Sequence, residues 1–441
     1  MRVVLGVGLA SLLAIGCGSK VTNEAATPTS DGGAIQTTDA AVADRLPCDV
    51  DAVLANECRT CHGSTPSFGA PMSLVTLADL QKPSPSDPSK KTWEEVKRRV
   101  NLPADSPERM PQAPNHPLTA ADLATLNAWF SAGAPGSSET CMPADGGHPP
   151  PKPLSCTPDV QLRPKTKWTM PKDRHDVYAC YGVELDSAVK KHVIAVEPKI
   201  LNTKIVHHIL LMQSDAPVDG TPFPCGAGTI ARYRMLYGWA PGVGSFELPK
   251  EAGLPAGPGK TYFVVQIHYN NLTALEGETD DSGFDLCSTS ELRPNDADVM
   301  AFGSMKFAIP PMSTHDITAS WTLPGSVGEL HAIGAFPHMH QLGRSITTTL
   351  HPASGGTIDL GSAPGFDFEN QFFAPLPSVA MKSGDTVRTR CVWKNDGKTA
   401  VSYGEDTAEE MCFSFTMYYP KITFSPWSWA APAYLSSTTV N

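Results

Sequence analysis

From about Lys167 to about residue 430 the chain is written in short apolar runs broken by Pro, Gly and Asp, and this rhythm limits its fold more than any other feature. Runs this short favour strands joined by turns, and such strands bury their apolar faces by packing sheet on sheet. The run TYFVVQIHYNN shows the pleat directly. Phe263, Val265, Ile267 and Tyr269 share one face, while Val264, Gln266 and His268 share the other. The 41 prolines and 36 glycines supply the turns, and 441 residues exceed what one ordinary core accommodates. The expectation is a multi-domain chain dominated by β-sandwich.

The first residues read differently. Arg2, an apolar run from Val3 to Ile15, and Gly16 before Cys17 make residues 1–17 a secretory signal. It resembles a bacterial lipoprotein signal in which Cys17 becomes the lipidated N-terminus; plain cleavage and secretion is the alternative. Both routes lead out of the cytoplasm, to an outer-membrane or cell-surface lipoprotein or to a secreted or periplasmic protein, where disulfides persist. Residues 18–45, rich in Ala, Thr and Asp without apolar periodicity, are expected to form a flexible linker. A formal net charge of -11 offers no basic surface, which argues against nucleic acid. Small molecules are the expected partners, with the membrane met only through a lipid anchor.

Next comes Cys58-Arg59-Thr60-Cys61-His62, the C-x-x-C-H of covalent haem c attachment. Two thiols one helical turn apart can add to the haem vinyls, and the adjacent His62 then reaches the iron. Thr119 and Asp122 mark a helix start, followed by Leu123, Leu126 and Phe130 at helical spacing. Residues 46–137 thus resemble a small all-α cytochrome c. That family often takes its sixth ligand from a Pro-rich loop, which places Met110 in that role, with His116 the alternative. Residues 138–165, which hold Cys141 and Cys156, form a Pro-rich linker.

Metal-ligand residues recur in the β-rich part. His338 and His340 stand two apart on a strand-like run, and Met411 precedes Cys412. His207 and His208 are adjacent, so on a regular strand they face opposite ways and could share a metal only at a bulge or strand end. His268 lies on the polar face of its strand. Residues from about 156 to 430 carry, in order, HHILL, GWAPGVGSFELPKEAG, QIHYNN, DSG, LHAIGAFPHMHQLGR and EEMCFSFTMYY. This series resembles the copper type II, ascorbate-dependent monooxygenases.

The resemblance implies two consecutive jelly-roll-like β-sandwiches, at 166–298 and 299–430, with 431–441 left as a tail. It makes His207, His208 and His268 the ligands of an electron-transfer copper, and His338, His340 and Met411 the ligands of the copper that handles oxygen. A thioether favours Cu(I), which agrees with that division. It also implies an electron-tuning role for Gln266 and an orienting role behind the ligands for His331. His175, His192, His315 and His351 have no such context and are expected to be exposed.

Of 11 cysteines, Cys17, Cys58 and Cys61 are assigned, which leaves eight. Family positions imply Cys180–Cys225 and Cys391–Cys412; Cys48–Cys141 and Cys156–Cys287 are then proposed for the rest, although sequence does not fix connectivity. The implied reaction inserts one atom of O2 into a C–H bond and releases the other as water. Electrons come from ascorbate or another donor, and the fused haem offers a relay. Phe336 stands where peptide-amidating relatives place a carboxylate-binding arginine. With Phe413 and Phe415 it suggests an apolar pocket for a small apolar or aromatic substrate. The rival reading is a copper and haem redox relay, or copper-binding lipoprotein, without hydroxylase activity.

Overall fold

The computed structural model describes residues 44–103, 106–112, 115, 117–139, 141, 154–174, 176–226, 233–271, 274–368, 370–404, 408–422 and 430–441. The signal at 1–17 with Cys17, nearly all of the linker at 18–45, His116 and His175 lie outside the described residues.

The described residues of 46–137 carry four helices, α1 (Cys48–Glu57), α2 (Leu77–Gln81), α3 (Thr92–Val100) and α4 (Ala120–Ser131). The predicted start of α4 is there: the Thr119 hydroxyl accepts the Asp122 N–H at 3.1 Å, satisfying one of the first-turn donors. Helices α1 and α3 both pack on α4. Their apolar sides, including Val50, Leu54, Val96, Leu126 and Phe130, form one small core. A bridge between Arg45 and Ser137 and the Cys48–Cys141 disulfide close the ends of this domain on each other.

The first sandwich has a five-stranded sheet in the order Phe223–Pro224, Asp176–Ser187, Gly259–Asn270, Val206–Ser214, Arg234–Trp239. Its second sheet runs Val160–Leu162, Gly283–Thr289, Lys191–Lys199, Ala252–Ala256, Asn295–Asp296, with Phe246–Glu247 also on Lys191–Lys199. Cys156–Cys287 ties the incoming connector to this sheet, and Cys180–Cys225 ties the strand Asp176–Ser187 to the turn after Phe223–Pro224.

In the second sandwich a four-stranded sheet has the order Asp298–Gly303, Phe413–Tyr419, Leu330–His338, Ala374–Met381. It faces a five-stranded sheet of Ile358–Asp359, Gly343–His351, Thr386–Asn395, Ser313–Thr322 and Ser437–Val440. Thr386–Asn395 has the alternation of a sheet with one wet face: Val387, Thr389, Cys391, Trp393 and Asn395 are buried between exposed or half-buried neighbours. Phe413–Tyr419 is buried on both faces, because one covers its own sandwich and the other meets the first sandwich.

Two expectations fail here. Residues 431–441 are not a tail, since Ala431–Leu435 is helical and Ser437–Val440 pairs with Ser313–Thr322. Nor is His192 exposed. Its ring is buried, with Nε2 2.8 Å from Asp296 Oδ1 and Nδ1 accepting the Arg293 N–H. His315 and His351 are half-buried. Among the described residues no helix is long and apolar enough to cross a membrane.

Candidate metal centres

The strand Val206–Ser214 pairs with Gly259–Asn270 so that His268 lies opposite His208, while the next pair is Tyr269 with Val206. His207 is therefore the extra residue of a β-bulge. The bulge removes the geometric objection to adjacent histidines, because it turns the backbone enough for both to face one point. One imidazole nitrogen from each of His207, His208 and His268 lies within 4.8 Å of the other two. His268 is fully buried, stacks on Tyr178 at 4.3 Å, and donates from Nε2 to Asp176 Oδ1 at 2.5 Å. That bond fixes the tautomer and leaves the Nδ1 lone pair for a metal. The same bond holds the Asp176 carboxyl below its usual range.

His338 ends the strand Leu330–His338, and His340 follows beyond it. The pair is not on one continuous strand, yet their rings meet at 5.2 Å, edge to face. Gln371 Nε2 donates to the Phe368 carbonyl, which turns Oε1 toward His338, so His338 Nδ1 donates to it at 2.6 Å. The remaining nitrogen, Nε2, is buried without a hydrogen-bond partner among the described residues. His340 Nδ1 likewise donates to the Glu409 carbonyl. Burial, reinforced by His340, holds His338 down to about 3, so the ring is in the neutral form that ligates metals. An imidazole so held fits a metal and little else, since leaving its acceptor buried and unmet is costly.

Phe413 pairs with His338 in antiparallel register, and Met411, two residues before Phe413, shares with His340 a backbone N–H bond to one Glu410 oxygen. The brace between them is a residue the sequence reading missed. Glu410 is fully buried, and its carboxylate accepts N–H bonds from His340 (3.0 Å), Leu342 (2.7 Å), Met411 (3.2 Å) and the Trp393 indole (2.9 Å). Cys391–Cys412 fastens the same strand start to the opposite sheet.

Residues 164–276 match the profile of the copper type II ascorbate-dependent monooxygenase N-terminal domain, and residues 295–434 match that of the C-terminal domain. The chain belongs to this family. It is 30% identical to bovine (Bos taurus) dopamine beta-hydroxylase over 271 residues, 55% of this chain and 44% of that protein. It is 28% identical to peptidyl-glycine alpha-amidating monooxygenase A of Xenopus laevis over 253 residues, 55% of this chain and 26% of that protein. The chain thus spans less than half the length of these relatives.

Within the family frame, several other positions take different places from those expected. Gln266 is buried, donates to the Gly226 carbonyl at 3.0 Å and sits against the Cys180–Cys225 sulfurs. His331 does not reach the His338 site. It lies at the far end of its strand, about 20 Å away at ~3.3 Å per residue, stacked on Tyr419 and bonded to Ser378 and Glu329. Phe336, Phe413 and Phe415 are buried to 1% exposure or less. Phe336 lies so close to Gly238 of the first sandwich that a Cβ there would fall 2.2 Å from its ring. These three rings fill the contact between sandwiches.

Cys58 and Cys61 are the unpaired cysteines among the described residues; the other eight form the four disulfides. Both line a cavity of about 300 Å³ with His62, Leu74, Val96, Val100, Met110 and others. Burial pushes the thiols up to about 12 and about 11, so both are held in the neutral thiol form rather than as thiolates. His62 Nδ1 is held by the Met72 carbonyl at 2.9 Å, which leaves Nε2 for an iron. An apolar cavity, two free thiols and an oriented imidazole fit haem c.

Proposed function

We propose that this chain is a copper monooxygenase that hydroxylates a C–H bond of a small apolar or aromatic substrate with O2. Copper held by His338, His340 and Met411 would supply oxygen activation, and copper held by His207, His208 and His268 one-electron transfer. Haem c on Cys58 and Cys61, with His62 and Met110 as axial ligands, would relay electrons from ascorbate or another donor. The chain's own residues prepare these sites: Gln371 and the Glu409 carbonyl set His338 and His340 as Nε2 ligands, Asp176 sets His268 as an Nδ1 ligand, and Glu410 keeps Met411 in register with His340. The substrate class rests on the absence of an arginine at position 336, where Phe336 is instead buried against Gly238 and leaves no charge to anchor a carboxylate.

The single observation that supports the reading is the pair of histidine sets, in which His268, His338 and His340 each have one ring nitrogen tied to a protein acceptor, leaving the other for metal. The four disulfides suit an oxidising compartment, in line with an exported protein that a lipid on Cys17 anchors. Metal analysis and electron paramagnetic resonance of the purified chain test it: two coppers and one haem per chain, with O2 uptake that depends on substrate. One haem and no copper refutes it; both metals with no substrate-dependent uptake favours the redox relay.

A further inference from the structure

The cavity that holds Cys58, Cys61, His62 and Met110 is lined on the sandwich side by His207 and Pro241, and by Asn370 of the second sandwich. Of the three histidines in the cluster, His207 alone lines it, because the bulge sets His207 apart while His208 and His268 stay buried. The helical domain is docked there rather than merely tethered. The Phe68 N–H donates to the Thr203 carbonyl at 2.8 Å, and the Phe68 ring meets Trp239 edge-on at 5.8 Å. Gly69, at φ +77°, approaches so closely that a Cβ would lie 3.0 Å from His207 Cδ2 and 3.4 Å from Asn270. Asn115 donates to the Pro241 carbonyl, and Gln112 to Asp367 at 2.8 Å.

We propose that His207 is the port through which electrons from the haem enter the His207, His208 and His268 copper, and that the loop Ser67–Met72 holds the two centres in fixed contact through the close approach at Gly69. The proposal rests on the relay reading above and sharpens it. One electron leaves the ferrous iron, which becomes ferric, and reduces Cu(II) to Cu(I); no bond breaks and no proton moves. Transfer is then intramolecular, and its rate does not depend on protein concentration.

The test uses the full chain loaded with copper and haem. In a His338→Ala, His340→Ala chain, which retains the first copper, ferric haem is expected to broaden the Cu(II) resonance by dipolar coupling, with the broadening lost in a further Cys58→Ser, Cys61→Ser chain. Absence of any broadening overturns the port. In stopped flow, ferrous haem should reoxidise in one first-order phase with copper present and stay reduced without it. Gly69→Leu, which wedges a side chain against His207, should slow that phase roughly tenfold, about 1.4 kcal/mol of barrier. Gly133→Leu is the control, since Gly133 has a similar φ of +83° with nothing within 4 Å of its Cβ position. No copper-dependent reoxidation in the parent chain refutes the relay itself. Reoxidation that scales with protein concentration, or that Gly69→Leu slows no more than Gly133→Leu, leaves the relay and overturns the port.

Discussion

Replacing Glu410 by Gln should loosen the proposed copper site of His338, His340 and Met411 while leaving all three of those residues in place. Oε2 accepts three donors, the His340 and Met411 N–H groups and the Trp393 indole, and Oε1 accepts the Leu342 N–H. A glutamine of the same shape keeps the three donors best with its oxygen at the Oε2 position. Its NH2 group then points at the Leu342 N–H, donor against donor. One charge-assisted bond is lost, worth about 1.5–3 kcal/mol, and the other three weaken because the acceptor is neutral. Burial pushes the Glu410 carboxyl up to about 7, so removing a buried charge returns part of this. The expected net loss is about 2–4 kcal/mol in denaturant unfolding. The site-specific readout is X-ray absorption of the Cu(I) protein, where the copper–sulfur scattering of Met411 should fade as its strand start slips from His340. A variant within about 0.5 kcal/mol of the parent, with copper–sulfur scattering intact, would refute the bracing argument.

Asp176→Asn removes the anionic acceptor that fixes the His268 tautomer, and copper affinity at the His207, His208 and His268 site should fall roughly 10–100-fold by competitive chelation, with the other site unchanged. Gly238→Ala sets a Cβ 2.2 Å from the Phe336 ring and should cost about 1–3 kcal/mol of stability. Adding Phe336→Leu should recover most of that, and strict additivity of the two changes would show that the rings do not lock the sandwiches. Arg98 and Arg99 beside Glu95 hold its carboxyl down to about 2, below its ordinary 4.5. Because the folded pKa is the lower one, its stabilisation of the helical domain is complete above about pH 4.5 and is lost as pH falls toward 2. Acid unfolding followed by circular dichroism should show this component in the parent chain and not in Glu95→Gln.

The histidines at 207, 208 and 268 could be picked out in the sequence, and the structure gathers them; the local geometry that gathers them could not be read there. Adjacent histidines at 207 and 208 posed a condition, a bulge or a strand end, but the bulge depends on the register against Gly259–Asn270, which no local pattern encodes. Glu410 left no signal at all, since one acidic residue beside Glu409 looks like surface until the fold buries it beneath Trp393. His331 misled because seven residues along a strand cover about 20 Å, so sharing a strand with His338 does not mean sharing a site. Phe336 was noticed for what it replaces, while its partner Gly238 comes from another sandwich. Residues 431–441 stand outside the stretch that carries the family motifs, and Ser437–Val440, a short strand at a sheet edge, takes its place by pairing to Ser313–Thr322.

The position of the helical domain follows from which of its segments make the contacts. Met110, Gln112 and Asn115 lie close in sequence; Met110 lines the cavity of Cys58 and Cys61, Gln112 binds the second sandwich at Asp367, and Asn115 binds the first at Pro241. A haem bound in that cavity, as proposed, would therefore touch a segment that also grips both sandwiches, and the Phe336 contact with Gly238 fixes those sandwiches to each other. Residues in one connected network couple rather than add. On the proposed function, haem loading and the rigidity of both proposed copper sites would be linked through a few named side chains, and a swinging carrier on a flexible linker would have no use for the close fit of Gly69 on His207.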